Sequence, residues 1–217
     1  SSYSEQEITM RIRHKHIAIL LLTSLLGFMG NANAVLLFSD NFAESDITSQ
    51  HTNFSTLDNW DVVDGTVDAY LNGGFGLPCL SGGCLDMDGS TRNGGRIESK
   101  TTFNFLANVI YTLTVEYRGN ARGGVDNLIF GFPGNASLNY GGINSTDGWT
   151  TQTIGILKGT DWSSKLFVET SSNDDVGPLL NRVELTNNLS TNVPEPATLT
   201  LMGLCLVGLG FRRYKAA

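Results

Sequence analysis

The amino-acid sequence predicts an all-β fold, an antiparallel two-sheet sandwich of the jelly-roll type. Three observations support this prediction. Apolar and polar residues alternate along short segments, Gly, Asn, Asp and Ser separate those segments at close intervals, and no stretch of the central region has convincing helical periodicity. About ten such segments in roughly 150 residues are typical of sandwiches or barrels, and a region of this size can fold without a metal. We prefer the sandwich to barrel closure.

The predicted strands follow one another along the chain. The region begins with residues 35–38 (VLLF). Residues 60–70 (WDVVDGTVDAY) place Asp64 and Gly65 between two β-rich runs, which predicts a hairpin. Every second residue is apolar in residues 109–117 (VIYTLTVEY), as in a half-buried strand. Further strands are predicted at CLDM, GRIES, TFNF, NLIFGF, WTTQTIGI, KLFVET and LLNRVELT.

The N-terminal segment has the pattern of a secretory signal peptide, residues 10–34. A basic segment, an apolar segment (IAILLLTSLLGFM) and small residues at Ala32 and Ala34 follow one another, and cleavage is expected after Ala34. The alternative is an N-terminal membrane anchor. Residues 1–9 precede the first Met and are treated as a non-native or upstream extension.

The region that remains after these cuts is acidic. Residues 35–196 hold 19 acids and 8 bases, for a net charge near −11. Such a surface repels phosphate backbones, so nucleic acid is not expected as a partner. It suits calcium, cationic partners or simple solubility.

Two of the three cysteines flank a glycine-rich loop. Cys79 and Cys84 enclose LSGG, and in an exported chain this spacing favours a disulfide, with two free thiols as the alternative. Cys205 lies in the apolar tail as a filler or a lipid-facing thiol. A zinc site is not expected, because His51 is the only histidine of residues 35–196.

The C-terminal tail has three parts in a fixed order. After the polar segment TNNLSTN come Val193, Pro194, Glu195 and Pro196, then the apolar residues 197–211, and then a basic cluster of Arg212, Arg213 and Lys215. The apolar run is about 22 Å long as a helix, shorter than a hydrocarbon core of roughly 30 Å. The basic cluster would stay on the cytoplasmic side, and the two prolines favour extended, accessible chain before the run.

Together with the signal peptide and the acidic domain, this tail resembles the PEP-CTERM family of exported bacterial proteins. The resemblance implies a β-sandwich domain at residues 35–187, followed by a linker and sorting tail at residues 188–217. It also implies export by the general secretion machinery, a transient stay in the inner membrane, and processing near Pro194, Glu195 and Pro196 by exosortase. The protein would then reach the cell surface or the extracellular space. The alternative is a permanent single-span anchor.

The domain itself resembles the galactose-binding-like jelly rolls found before such tails. The resemblance is carried by CLDMDGST, YTLTVEYRGNARGG and DDVGPLLNRVEL. Carbohydrate-binding jelly rolls usually have Asp-Asn before the last Val of the closing strand, and Asn181 and Arg182 stand there in this sequence.

Candidate ligand-binding residues are few. Asp86 and Asp88 offer two carboxylates for a possible calcium ion, and an ordinary turn at Asp88 is the alternative. No other cofactor is expected. Trp149, Trp162 and Tyr140 are candidates for sugar stacking, with core packing as the alternative.

Catalytic residues are not predicted. Glycoside hydrolysis needs two positioned carboxylates, but the acids occur without a defining motif: Asp86, Asp88, Glu98, Glu116, Asp126, Glu169 and Glu184. His51 has no Gly-x-Ser-x-Gly motif to pair with. The sequence therefore predicts a non-enzymatic surface or matrix protein that acts in adhesion or weak glycan binding within the exopolysaccharide layer. The alternatives are a secreted polysaccharide-active enzyme with paired carboxylates and a purely structural matrix protein.

Overall fold

The computed structural model describes residues 34–42, 51–71, 74–80 and 82–189, which fall within one compact unit, Ala34–Leu189. The signal segment and the sorting tail lie outside the described residues. A short 3-10 turn occurs at Gly74–Gly76. The strands in the described residues are β1 (Val35–Asp40), β2 (His51–Phe54), β3 (Trp60–Asp64), β4 (Val67–Leu71), β5 (Gly83–Asp86), β6 (Arg96–Ser99), β7 (Phe103–Phe105), β8 (Ile110–Arg118), β9 (Val125–Phe132), β10 (Ala136–Asn144), β11 (Thr150–Leu157), β12 (Trp162–Ser164), β13 (Phe167–Glu169) and β14 (Leu179–Asn187).

The strands form two main sheets. The seven-stranded sheet has the order β11-β8-β14-β5-β4-β2, and β1 also pairs with β14. The five-stranded sheet has the order β10-β9-β13-β6-β3, and β12 and β7 form a separate pair. All these strand pairs are antiparallel. The predicted antiparallel β-sandwich is confirmed.

The core lies between the two main sheets. Alternate residues of β8, such as Leu113 and Val115, point inward and pack in one cluster with Trp60 and Phe130 of the other sheet. All four side chains are fully buried. The residues between them on each strand form the outer faces, as the period of two requires.

The predicted hairpin at Asp64 and Gly65 is wrong. β3 pairs with β6 in the five-stranded sheet, whereas β4 pairs with β5 and β2 in the seven-stranded sheet. The turn therefore carries the chain from one sheet to the other. Both β3 and β4 supply core residues, Trp60 and Val67 among them, and placing them in opposite sheets lets both runs bury their inward side chains.

None of the described segments forms a helix with the length and apolarity needed to span a bilayer.

Candidate binding groove

A groove lies on the outer face of the five-stranded sheet. Its volume is about 420 Å³, within the usual range of ligand sites. We call it the Arg96 groove. Its lining residues are Arg96, Ile129, Phe132, Pro133, Gly134, Asn135, Ala136, Ser137, Phe167 and Glu169.

Arg96 is held between two carboxylates. Its Nη1 donates to Glu169 Oε2 at 2.5 Å, and its Nε and Nη2 donate to Glu98 Oε1 at 3.1 and 2.9 Å. The guanidinium carbon lies 4.1 Å from the centroid of the Phe167 ring. A planar cation fixed by three charge-assisted hydrogen bonds and an aromatic ring is a pre-organised binding element.

The strand register brings these residues together. Glu169 is paired with Arg96, and Phe167 with Glu98, across β13 and β6. Ile97 and Val168 alternate with them and enter the core. Phe167 belongs to the outer face but is nearly fully buried, because it packs under the Arg96 guanidinium.

The turn between β9 and β10 closes one end of the groove. Asn135 donates its backbone N–H to the Phe132 carbonyl at 2.9 Å, and its side-chain oxygen accepts a hydrogen bond from the Lys158 ammonium. Gly131 is needed beside it, because a Cβ atom there would lie 2.2 Å from the Ala136 carbonyl oxygen. The groove thus offers charged, amide and hydroxyl groups next to the apolar, half-buried Ile129. This combination suits a polyhydroxylated ligand with a C–H face.

The opposite outer face carries a similar arrangement of charged side chains. Arg182 of β14 lies 3.5 Å from Glu116 Oε2 and donates to Glu184 Oε1 at 3.2 Å. Two outward arginines, one on each sheet, therefore each stand between two glutamates.

Asp86 and Asp88, the predicted calcium ligands, are both fully buried. Asp86 is paired with the Arg122 guanidinium and accepts backbone N–H groups from Asp88 and Gly177 at 3.1 and 2.8 Å. Burial raises the pKa of Asp86 to about 7, against the lowering effect of Arg122. Its oxygens are thus already used within the protein.

Asp88 belongs to a cluster of acids that also includes Asp126 and Asp174. Its Oδ2 accepts the backbone N–H of Asp174 at 2.9 Å, and its Oδ1 is buried without a hydrogen-bond partner. The Ser172 hydroxyl lies 2.9 Å from Asp126 Oδ1 and 3.2 Å from Asp174 Oδ1. The pKa of Asp126 is raised to about 6, chiefly by burial and in smaller part by the Asp174 and Asp88 carboxylates, against the lowering effect of the hydrogen bonds from Ser172 and Asn120. Among the described residues, no group of three or more His, Cys, Asp or Glu side chains is arranged to hold a metal ion.

Of the three aromatic candidates, Trp162 adjoins the Arg96 groove, with its ring 5.4 Å from that of the lining residue Phe132. Trp149 and Tyr140 are not among the lining residues. Trp162 is stacked on Phe105 with 4.0 Å between ring centroids, and the Lys158 ammonium lies 4.8 Å from the centre of its ring. This geometry favours packing over sugar contact for Trp162. Trp149 donates its indole N–H to the Pro78 carbonyl at 3.2 Å and is half-buried. Tyr140 is more exposed, with its ring 5.7 Å from that of Tyr117.

Cys79 and Cys84 are joined by a disulfide, with 5.4 Å between their Cα atoms. The bridge packs with Tyr70, Leu77 and Leu179 in a second, smaller apolar cluster, against which Trp149 is placed. The loop is thereby fixed on the outer face of the seven-stranded sheet.

Sequence reasoning did not assign a role to Arg96 or Phe167. In GRIES, Arg96 and Glu98 stand two residues apart and so share one face of a strand. The sequence shows this spacing, but it does not show that β13 is the partner strand or in which register it pairs. The other sequence-predicted residues lie outside the described residues: Ala32, Val193, Pro194, Glu195, Pro196, Arg212, Arg213 and Lys215. Ala34 is described, as the exposed residue directly before β1.

A comparison with protein-family models identifies the tail. Residues 192–213 match the family model described as the PEP-CTERM protein-sorting motif. The chain carries a PEP-CTERM sorting tail. The resemblance seen in the sequence is confirmed, and the motif indicates an exported protein that exosortase sorts to the cell surface.

A separate comparison with curated proteins gives no match. Among solved structures, the chain is similar to the K1 cleaved adhesin domain of Lys-gingipain from Porphyromonas gingivalis W83, with 12% identity, 73% of this chain and 99% of that chain covered, and a TM-score of 0.45. It is also similar to the CBM22-1 xylan-binding domain of Paenibacillus barcinonensis Xyn10C, with 11% identity, coverage of 73% and 97%, and a TM-score of 0.39.

A third similar structure is the exo-β-1,3-galactanase Pc1,3Gal43A from Phanerochaete chrysosporium, with 13% identity, 63% of this chain covered and a TM-score of 0.37. The matched part spans only 29% of that enzyme. At these identities and scores the three likenesses concern the fold and not the ligand.

Proposed function

We propose that this protein is a non-enzymatic glycan-binding protein of the cell surface or extracellular matrix, sorted through its PEP-CTERM tail. Its sandwich would bind polysaccharide weakly in the Arg96 groove. After processing near Pro194, Glu195 and Pro196, the domain would stay in the exopolysaccharide layer or be released into it. An adhesive role would follow from the same binding.

One observation carries the proposal. Arg96 lies over the Phe167 ring between Glu98 and Glu169, in a groove of about 420 Å³. Sugar hydroxyls are both donors and acceptors, so they can bond to a carboxylate and a guanidinium at the same time. Because the three charged groups hold one another in place, little side-chain entropy is lost on binding.

The same residues weigh against catalysis. Glu169 is the carboxylate among the lining residues of the groove, and Glu98 is the next one beside Arg96; both are bound to the single Arg96 guanidinium. A hydrolase needs one carboxylate to protonate the leaving group and a second to attack or to activate water. Two carboxylates locked onto one cation support binding better than these two distinct roles.

The test is polysaccharide binding by Arg96→Gln, measured by affinity electrophoresis against the host's exopolysaccharide, xylan and a β-1,3-galactan. Loss of the charged hydrogen bonds is expected to weaken binding by about tenfold or more. Arg182→Gln is the matched control, because Arg182 also stands between two glutamates but on the opposite sheet. It is expected to bind like the unmodified protein.

The alternatives give different results. Equal loss of binding in both variants, or loss only in Arg182→Gln, would exclude the groove as the binding site. Release of reducing sugar by the purified protein, abolished in Glu169→Gln, would support the polysaccharide-active enzyme. Absence of binding to every glycan, together with self-association, would support the structural matrix protein.

A further inference from the structure

Six exposed aliphatic side chains lie at one end of the sandwich. We call this set the terminal apolar face. It comprises Leu36, Leu37, Leu106, Ile110, Leu157 and Leu189. Scattered single apolar residues on a surface are ordinary, but a contiguous apolar patch usually marks an interaction site. More than half of the large exposed hydrophobic residues in the described part of the chain belong to this set.

Strand pairing shows that these residues are neighbours. Leu157 and Ile110 are directly paired at the ends of β11 and β8. Ile110 also exchanges hydrogen bonds with Asn188, which precedes Leu189. Paired residues in such a ladder have Cα atoms about 4.5–5.5 Å apart.

The two remaining parts of the face adjoin this pair. Leu106 donates its backbone N–H to the hydroxyl of Tyr111, the residue after Ile110. Leu36 is paired with Thr186 on the last strand, and Leu37 is the extra residue of the irregularity that follows it.

The described chain enters and leaves the domain at this same end. Val35 is paired with Asn187, so the first residue of β1 and the last residue of β14 lie side by side. The sorting motif begins within a few residues of Leu189, and the apolar run starts at Ala197. Eight residues of fully extended chain span at most about 28 Å. While the apolar run is in the inner membrane, Leu189 can therefore be no farther than about 28 Å from its first residue.

We propose that the terminal apolar face docks on the lipid bilayer surface while the sorting tail is still attached. A tether of only eight residues gives an effective concentration in the millimolar range, so a patch with only millimolar affinity would be bound much of the time. Leucine and isoleucine side chains at the headgroup boundary lose contact with water, which supplies the attraction. Processing of the tail removes the tether, and the same weak patch then lets the domain leave the membrane.

The net charge of the domain distinguishes this apolar docking from electrostatic adsorption of the domain to lipid. Residues 35–196 carry a net charge near −11, which repels anionic lipid. Attraction through aliphatic side chains is insensitive to screening, so docking is expected to persist between about 0.1 M and about 1 M salt.

The test uses the full chain in nanodiscs that contain brominated phosphatidylcholine, with a nitrobenzoxadiazole probe at Leu157→Cys in a Cys205→Ser background. The control probe is placed at Val125→Cys. Val125 is 65% exposed and Leu157 is 60% exposed, and each is a strand-end aliphatic residue. Val125 lies at the opposite end, because the turn after its partner Asn144 bonds to Gly119, just beyond the far end of β8.

Bromine is expected to quench the probe at position 157 at least twofold more than the probe at position 125, at low and at high salt. Adding Ile110→Asp and Leu189→Asp should remove this difference, and a cooperative urea-unfolding transition followed by tryptophan fluorescence would show that the variants still fold. Equal quenching at both positions would overturn the proposal. So would a signal at position 157 that depends on protein concentration and not on bromine, since it would indicate a second copy of the chain.

Discussion

Asp126 makes the stability of the domain depend on pH in a defined direction. Its carboxylate accepts hydrogen bonds from Ser172 and Asn120, yet burial raises its pKa to about 6. The unfolded chain ionises at the ordinary value near 3.8, so between about pH 4 and pH 6 the folded state binds more protons. Stability is therefore greatest at the acid end of this window and falls as the pH rises. Asp86, with its pKa raised to about 7, extends the fall in the same direction.

Asp126→Asn is expected to flatten this slope. The amide cannot ionise, and it can still bond to Ser172 and Asn120. The loss of unfolding free energy between about pH 4 and pH 6.5 should be smaller than in the unmodified protein by on the order of 2 kcal/mol. Urea unfolding followed by tryptophan fluorescence at several pH values measures it.

Ser172→Ala is the matched control for Asp126→Asn. It removes a hydrogen bond that lowers the pKa of Asp126 but leaves the carboxylate, so the slope should persist or steepen. An unchanged slope in Asp126→Asn would contradict the assignment.

The same titration with calcium tests the predicted ion: binding near Asp88 would stabilise the protein more at neutral than at acid pH, because the ion favours ionised carboxylates.

The candidate site was less predictable from sequence than the tail. The basic cluster and Pro-Glu-Pro are contiguous in the chain, and a family model recognises them. The Arg96 groove depends on Glu169, which is far from Arg96 in sequence and reaches it only through the register of β13 on β6. Among the aromatic candidates, Trp162 stacks on Phe105, and glycan contact by Trp149, Trp162 and Tyr140 stays a prediction.

At the scale of elements, Gly65 lies in the turn by which the chain passes from β3 in one sheet to β4 in the other. Its φ is +57°, and a Cβ atom there would lie 2.1 Å from the Gly94 carbonyl oxygen. The next residue, Thr66, donates its N–H to the Asn93 carbonyl at 3.1 Å. The turn thus packs against the segment before β6 and does not close a hairpin.

Gly65→Ala is expected to destabilise the domain by about 3 kcal/mol, through the left-handed φ and the backbone collision together. Gly76→Ala is the matched control, because Gly76 has φ of +75° but no atom within 4 Å of a Cβ position. It should cost only about 1 kcal/mol. Chemical unfolding of both variants gives the comparison, and equal losses would mean that the close approach to Gly94 does not matter.

The sequence predicted most strands but not their partners. Alternation identified β8 because its apolar residues are regularly spaced, as in Tyr111 and Leu113. It missed β10, where Gly141, Gly142 and several polar residues obscure the pattern. An Asp-Gly turn is a local signal for a tight turn, whereas the choice between a hairpin and a crossover depends on which core each strand must fill. That information is not local.

At the scale of the whole molecule, the first and last strands complete the seven-stranded sheet together. Val35 and Asn187 are paired although they are about 150 residues apart, and β14 also pairs with β8 and β5. Long-range pairing of this kind slows folding, because the loop must be closed before the contact forms. An exported chain therefore cannot complete this sheet until its last strand has crossed the membrane.

Joining the ends should speed folding without changing the fold. In a circular permutant, Leu189 is linked to Val35 by a few glycine and serine residues, and the chain is opened after Gly159, in the exposed segment between β11 and β12. The β1–β14 pair becomes local, so the refolding rate is expected to rise several-fold while the disulfide and the core remain. Stopped-flow refolding from urea measures the rate. A permutant with the same linker but opened after Leu113 interrupts β8, which pairs on both sides, and it should fail to fold. If the first permutant refolds no faster than the parent, closure of β1 on β14 is not the slow step.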